Sequence, residues 1–213
     1  MAGLVHRPSF LAAMTTALLS TTFFGPVQWY QKLYRYDRVC IDQQETFQKQ
    51  TYRNRCLIAT TQGIQALTVP VVHGSNRLIT SIGISDHGNW RHLHWQALQS
   101  AYGDSPFFEY YEDDIRPFFT ERNWERLIDY NDDICRKMCE LLDIHPQFFP
   151  PSSFNFPPSS DFRTAISPKH PQPDPEFQPR PYYQVYRQKH GFLPNLSIMD
   201  LLFNMGPESI FYL

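Results

Sequence analysis

The sequence predicts an α/β fold, with a small mixed sheet in the N-terminal half and a mainly helical second half. It forms a single domain crossed by an extended proline-rich strap. Three observations carry this expectation. The run Ala17 to Phe24 is apolar and β-branched, is broken by Gly25-Pro26, and leads through a helical repeat to a second apolar run, Arg38 to Asp42. Such a strand–loop–helix–strand start is the pattern of an α/β layer with parallel pairing. From Trp90 onward the apolar residues recur at helical spacing instead. Finally, eleven of the 18 prolines lie between Pro146 and Pro181.

Each element has its own signal. Val27, Tyr30, Leu33 and Tyr34 predict a helix over 27–36, between strands at 17–24 and 38–42. Cys56 to Thr60 and Ala66 to Val72 read as a hairpin around Gln62-Gly63, and Arg77 to Ile84 as one further strand. Trp90, Leu93, His94, Ala97, Leu98 and Ala101 mark one face of an amphipathic helix. Ser105-Pro106 reads as the cap and first residue of another helix, ended or kinked at Pro117. A long helix runs from Trp124 to a stop before Pro146, Tyr182 to Tyr186 reads as a strand, and Ser197 caps a short helix to Phe203.

The strap differs from a flexible linker, which would be polar. Phe148, Phe149, Phe154, Phe156, Phe162 and Phe177 interrupt its prolines. Burying one phenylalanine is worth roughly 1.5–3 kcal/mol, so the segment is expected to be ordered. Long ordered loops are often lids, and its second half, Asp161 to Lys169, is expected to lie against the site.

Composition narrows the functional classes. The 213 residues suit one domain, with residues 1–15 as an extension outside the fold and Met14 as an alternative start. A net charge of -2 gives no footprint for nucleic acid. The apolar run near the N-terminus is diluted by Thr and Ser and is shorter than the ~20 residues a membrane span needs, so no stable membrane insertion is expected. Cys40, Cys56, Cys135 and Cys139 lack CxxC spacing and read as free, buried thiols in a cytoplasmic protein. No phosphate-binding glycine loop, HExxH, GxSxG or dinucleotide fingerprint occurs, and no cofactor or metal site is indicated.

Two features remain as candidate chemistry. The block Gln48 to Arg55 carries Lys49, Arg53, Asn54 and Arg55. It suits either a clamp for a phosphate or carboxylate or a solvated hairpin edge. Asp42 stands at a strand end, where ligands bind in parallel sheets, and His94 is the best general-base candidate although it lies on an apolar helix face.

Several strings resemble the WbqC-like protein family: Phe23 to Tyr30, Phe47 to Arg55, Trp90 to Trp95, Ala101-Tyr102 with Pro106 to Glu109, and Gly191 to Leu202. The resemblance spans about Ala17 to the C-terminus, and departs from many relatives at Gly25, where Tyr-Phe-Pro is common. It implies a transferase acting on an activated sugar or acyl donor, such as a glycyl group, in O-antigen-type polysaccharide assembly. It also marks Tyr102, Asn195, Ser197, Asp200 and Asn204 as family-like polar positions. In that picture Lys49, Arg53, Asn54 and Arg55 hold the donor, with Tyr102, Arg163, Lys169, Asn195 and Asp200 as further substrate contacts. Asp42 or His94 takes a proton from the sugar acceptor. The partners are then small molecules. Alternatives are a non-catalytic sugar- or nucleotide-binding module, and a nucleotidyl-transfer enzyme with a metal requirement.

Overall fold

The computed structural model describes residues 14–121, 124–150 and 160–213. Residues 1–13 of the expected extension, and residues 151–159 of the strap with Phe154 and Phe156, lie outside them. β1 (Thr16–Leu19) and β2 (Arg38–Ile41) pair in parallel, Thr16 opposite Arg38 and Leu19 opposite Ile41, with α1 (Val27–Arg35) as the crossover. The strap widens this pair on both sides. Val39 donates to the Gln147 carbonyl (2.9 Å) and accepts from Phe149 N–H (3.1 Å), while Phe162 N–H bonds the Leu18 carbonyl (2.9 Å). Both edges of a minimal sheet, which would otherwise expose unpaired backbone groups, are thereby covered.

The hairpin is β3 (Arg55–Thr60) and β4 (Gly63–Thr68), turned at Thr61-Gln62 with Gly63 at φ +102°. That backbone region is open to glycine and costly for other residues. The second run of the expected hairpin does not continue to Val72. Pro70 lacks an N–H, so the ladder stops, and β5 (Val71–Val72) pairs instead with β6 (Gly83–Ile84). The strand expected over 77–84 is therefore mostly a 3-10 turn, Ile79–Ser81, followed by β6. Among the described residues the sheet content is three two-stranded pieces rather than one continuous sheet.

The second half is mainly helical: α2 (Trp90–Tyr102), α3 (Phe108–Ile115), α4 (Pro117–Thr120), α5 (Leu127–Leu141), α6 (Arg187–His190) and α7 (Ile198–Met205), then a 3-10 segment, Gly206–Tyr212. The buried face of α2 is rotated from the expected one. Leu93 is 59% exposed, whereas Trp95 is buried and stacks on Phe108 and Phe119. Ser105 does not cap α3; its hydroxyl bonds the Tyr102 carbonyl, closing α2. Ser197 does cap α7, accepting from Met199 N–H. Tyr182 to Tyr186 forms no strand: Tyr182 and Gln184 are buried alternately, but their side chains bond Asp200, and that of Gln184 also bonds the Leu193 backbone.

One core holds all of this together. Residues of β1, β2, β3, α1, α2, α5 and α7 share it with Phe162, Ala165, Ile166 and Tyr182 of the strap and its end. Lys32 of α1 is buried beneath the strap, paired with Asp174 (2.9 Å) and 4.4 Å from the Phe162 ring centroid. The N-terminus of α1 has no cap from Pro26. Asn195, at φ 55°, supplies one from a distance, accepting from Gln28 N–H (2.9 Å). All four cysteines are free and buried, and no helix among the described residues is long and apolar enough to cross a membrane.

Candidate functional site

The carboxyl ends of β1 and β2 converge on a set of buried polar groups. After β1 come Ser20, Thr21 and Thr22, all buried; after β2 comes Asp42, whose N–H bonds the Leu19 carbonyl (2.8 Å). Glu45 and Arg53 form a buried ion pair across this edge. Arg53 Nε donates to Glu45 Oε1 (2.9 Å), and Arg53 Nη2 donates to Glu45 Oε2 and to Ser20 Oγ (2.8 Å). Ser20 Oγ in turn donates to Glu45 Oε2 (2.8 Å). The strap adds Arg163, which forks onto Asp161 (Nε 2.9 Å, Nη2 2.6 Å) and reaches Asp42 with Nη1 (2.5 Å). Such bidentate, charge-assisted bonds are strong and directional. Hydrogen bonding to Arg163 holds the Asp161 carboxyl below its usual range, against the opposing effect of burial.

Between these groups lies a narrow cleft walled by the three hydroxyl residues, Trp29, Tyr52 and Phe162, with Arg53 and Arg163 at its polar side. Its free space is about 10 Å³, roughly one water molecule. Thr22 Oγ1 is buried there without a hydrogen-bond partner. A larger hollow of about 420 Å³ opens at the same end of β2, between Ile41 and Gln43, Asp132, Cys135 and Arg136 of α5, and Phe148 and Phe149 of the strap. Burial pushes the Asp132 carboxyl up to about 6, with Arg136 opposing it.

The strand edge thus unites Asp42, Arg53 and Arg163. The other expected site residues lie elsewhere. Lys49 and Lys169 are exposed. Asn54 is buried and bonds the Val69 carbonyl, and Arg55 opens β3 and bonds Thr68 Oγ1. Asn195 caps α1, and Tyr102 and Asp200 meet in a buried polar hub behind α7. His94 packs among Phe23, Trp90 and Phe119, at ring separations of 5.2–6.4 Å, and does not line the cleft. Its Nδ1 is buried without a partner, and burial pushes its pKa from 6.5 down to about 4.

That depression has a measurable sign. Between pH 6.5 and 4 the unfolded chain takes up a proton on this imidazole that the folded protein refuses, so stability falls as the pH drops through that window. The expected loss is about 3 kcal/mol. Urea unfolding at pH 7 and pH 4.5 measures it; His94→Leu should flatten that part of the profile, and an unchanged profile in the variant would assign the acid sensitivity elsewhere.

Sequence reasoning passed over Ser20, Thr21, Thr22, Glu45 and Asp132. The hydroxyl run looked like dilution of an apolar segment, and only its position directly after a strand hinted at a binding edge. Among the described residues no group of three or more His, Cys, Asp or Glu is placed to hold a metal ion.

A strand edge lined by hydroxyls and paired ions, closed by a strap, defines a small α/β protein with a covered polar cleft. The profile of the WbqC-like protein family matches residues 21–170 and 169–212, and the chain belongs to that family. It is also similar to the uncharacterized protein Rv1507c of Mycobacterium tuberculosis, 27% identical over 192 residues that cover 78% of this chain and 83% of that one. No solved structure matches.

Proposed function

We propose that the protein is a group transferase that takes an activated sugar or acyl donor and a sugar acceptor, in the assembly of a surface polysaccharide of O-antigen type. The observation that carries the reading is Arg163: a residue of the strap bridges to strand-end Asp42 and closes a cleft that Arg53 and three hydroxyls also line. Opening the strap frees Asp42 from Arg163, and closing it again over a donor returns that guanidinium to the strand edge beside Arg53. Arg53 and Arg163 then hold the anionic part of the donor, and the hollow beside Gln43 and Asp132 receives the acceptor. Asp42 removes a proton from the acceptor's amine or hydroxyl as that atom bonds to the donor's reactive carbon, and the donor's leaving group departs with the bonding pair. Proton removal of this kind contributes ~10²–10⁴-fold in rate, and the cations stabilise developing negative charge.

A panel of nucleotide sugars and acyl donors with amino-sugar acceptors tests this. Asp42→Asn is expected to lower turnover by about 10²-fold or more, and Arg163→Ala to raise the donor KM, with the melting midpoint moved by only a few degrees in each. The satisfied pairing of both arginines favours one second reading, a non-catalytic binding module. A donor that raises the midpoint by mass action and is never consumed would replace the transferase reading with that one.

A further inference from the structure

A second concave site lies at the N-terminus of α2 and shares no lining residue with the strand-edge cleft. It encloses about 220 Å³ between Gly88-Asn89, the first turn of α2, and Phe119-Thr120. Three features distinguish it from an ordinary surface dent. First, α2 is 13 residues long, and its cap residue, Asn89, makes no side-chain bond to the first turn. The N–H groups of that turn therefore receive no acceptor from the cap side chain, and a helix start concentrates partial positive charge. Second, Arg91 lines the site with its side chain only 9% exposed. Its Nη1 bonds Asp86 (2.5 Å), but its buried Nε has no hydrogen-bond partner. An unpaired guanidinium N–H at that depth is costly unless an acceptor arrives. Third, the walls are aromatic: Trp90, Trp95 and Phe119, with the Arg91 guanidinium 4.4 Å from the Trp90 ring centroid.

We infer that this is a binding site for a small aryl oxyanion, a phosphate or carboxylate group carried on a flat ring. The charged head sits at the start of α2, where the backbone N–H groups and Arg91 Nε supply donors, as helix N-termini do for anions generally. The ring lies against the indoles, within the limited volume. Asp86, 56% exposed, is the internal anion that now shares Arg91. An incoming ligand takes the remaining Nε edge and competes with Asp86 for the same positive charge. This assignment is independent of the transferase reading, since no residue of the strand edge takes part.

Titration with phenyl phosphate, benzoate, inorganic phosphate and the neutral benzyl alcohol, followed by the indole N–H resonances of Trp90 and Trp95, tests it. Phenyl phosphate or benzoate is expected to shift both resonances and to bind at least about 10-fold more tightly than benzyl alcohol, given the strength of charge-assisted bonds. Asp86→Asn, a surface change, should tighten the aryl anion about 3-fold by removing the competing carboxylate. Thr120→Trp, which fills the mouth from an exposed position, should abolish binding, as should Arg91→Met where that variant folds. Equal binding of the alcohol and the anions, or no effect of Asp86→Asn and Thr120→Trp, would overturn the site. Inorganic phosphate binding as tightly as phenyl phosphate would overturn the role given to the ring.

Discussion

Asp200→Ala is expected to lower the unfolding free energy by about 3–5 kcal/mol, the cost of leaving buried partners of a charge uncompensated. Asp200 has no exposed surface and accepts three side-chain hydrogen bonds: from Tyr102 OH (2.9 Å), Tyr182 OH (2.6 Å) and Gln184 Nε2 (2.8 Å). Tyr102 OH also accepts from Ala59 N–H (3.1 Å), and Asn204 Nδ2 bonds the Asp200 carbonyl (2.7 Å). The hub therefore joins β3, α2, α7 and the end of the strap. Burial raises the Asp200 carboxyl, and the three donors pull it back. Alanine removes the acceptor and leaves three donors in a dry environment. Tyr182→Phe, which deletes one donor and leaves two, should cost only about 1–2 kcal/mol. Urea denaturation of the three proteins at pH 7 decides the matter; a cost for alanine no greater than that for Tyr182→Phe would mean that solvent reaches the hub.

Asp174→Ala is expected to cost a similar amount, about 3–5 kcal/mol, and to make the strap susceptible to protease. Lys32 is 1% exposed and Asp174 3% exposed in their side chains, so the pair is dry. Asp174 also accepts from Gln28 Nε2 (2.9 Å); burial alone would raise its carboxyl, yet the bonds from Gln28 and Lys32 hold it below the usual range. Without it the Lys32 ammonium keeps the more distant Glu176 (3.5 Å) and the Phe162 and Tyr36 rings (4.4 and 5.8 Å to the centroids). The double variant Lys32→Met, Asp174→Ala removes both charges and should recover most of the loss, because a dry ion pair replaced by apolar groups is often nearly neutral. If the double variant is as unstable as the single one, the strap is held by its backbone and rings rather than by this pair.

The local elements were readable where one physical signal dominated. The β1–α1–β2 start follows from a β-branched run, a Gly-Pro break and a helical repeat. α5 follows from apolar residues at 124, 127, 128, 135, 138, 141 and 142, of which 127, 128, 135, 138 and 142 are buried, and it begins at Leu127 rather than Trp124. Misreadings arose where tertiary packing outvoted the local pattern. Trp95 displaced Leu93 from the buried face of α2 because two aromatic partners awaited it. Tyr182 and Gln184 alternate like a strand because Asp200 draws both inward. The site behaves in the same way. Asp42 was legible from its place after a strand, and Arg163 from the strap, but nothing local distinguishes Arg53, which turns inward to Glu45, from Lys49, which faces solvent. Ser20 to Thr22 become a cleft wall only when the strap lies across them.

The strap's pairing with both edges of the β1–β2 unit also orders events in time. Leu18 waits for Asp161, Val39 for Phe148, and the first turn of α1 for Asn195, 167 residues further along. A chain emerging from the ribosome thus carries an apolar, uncapped α/β unit through most of its synthesis, and contacts this distant in sequence close late and slowly. Truncation before Asn195 is therefore expected to leave the first turn of α1 without its cap.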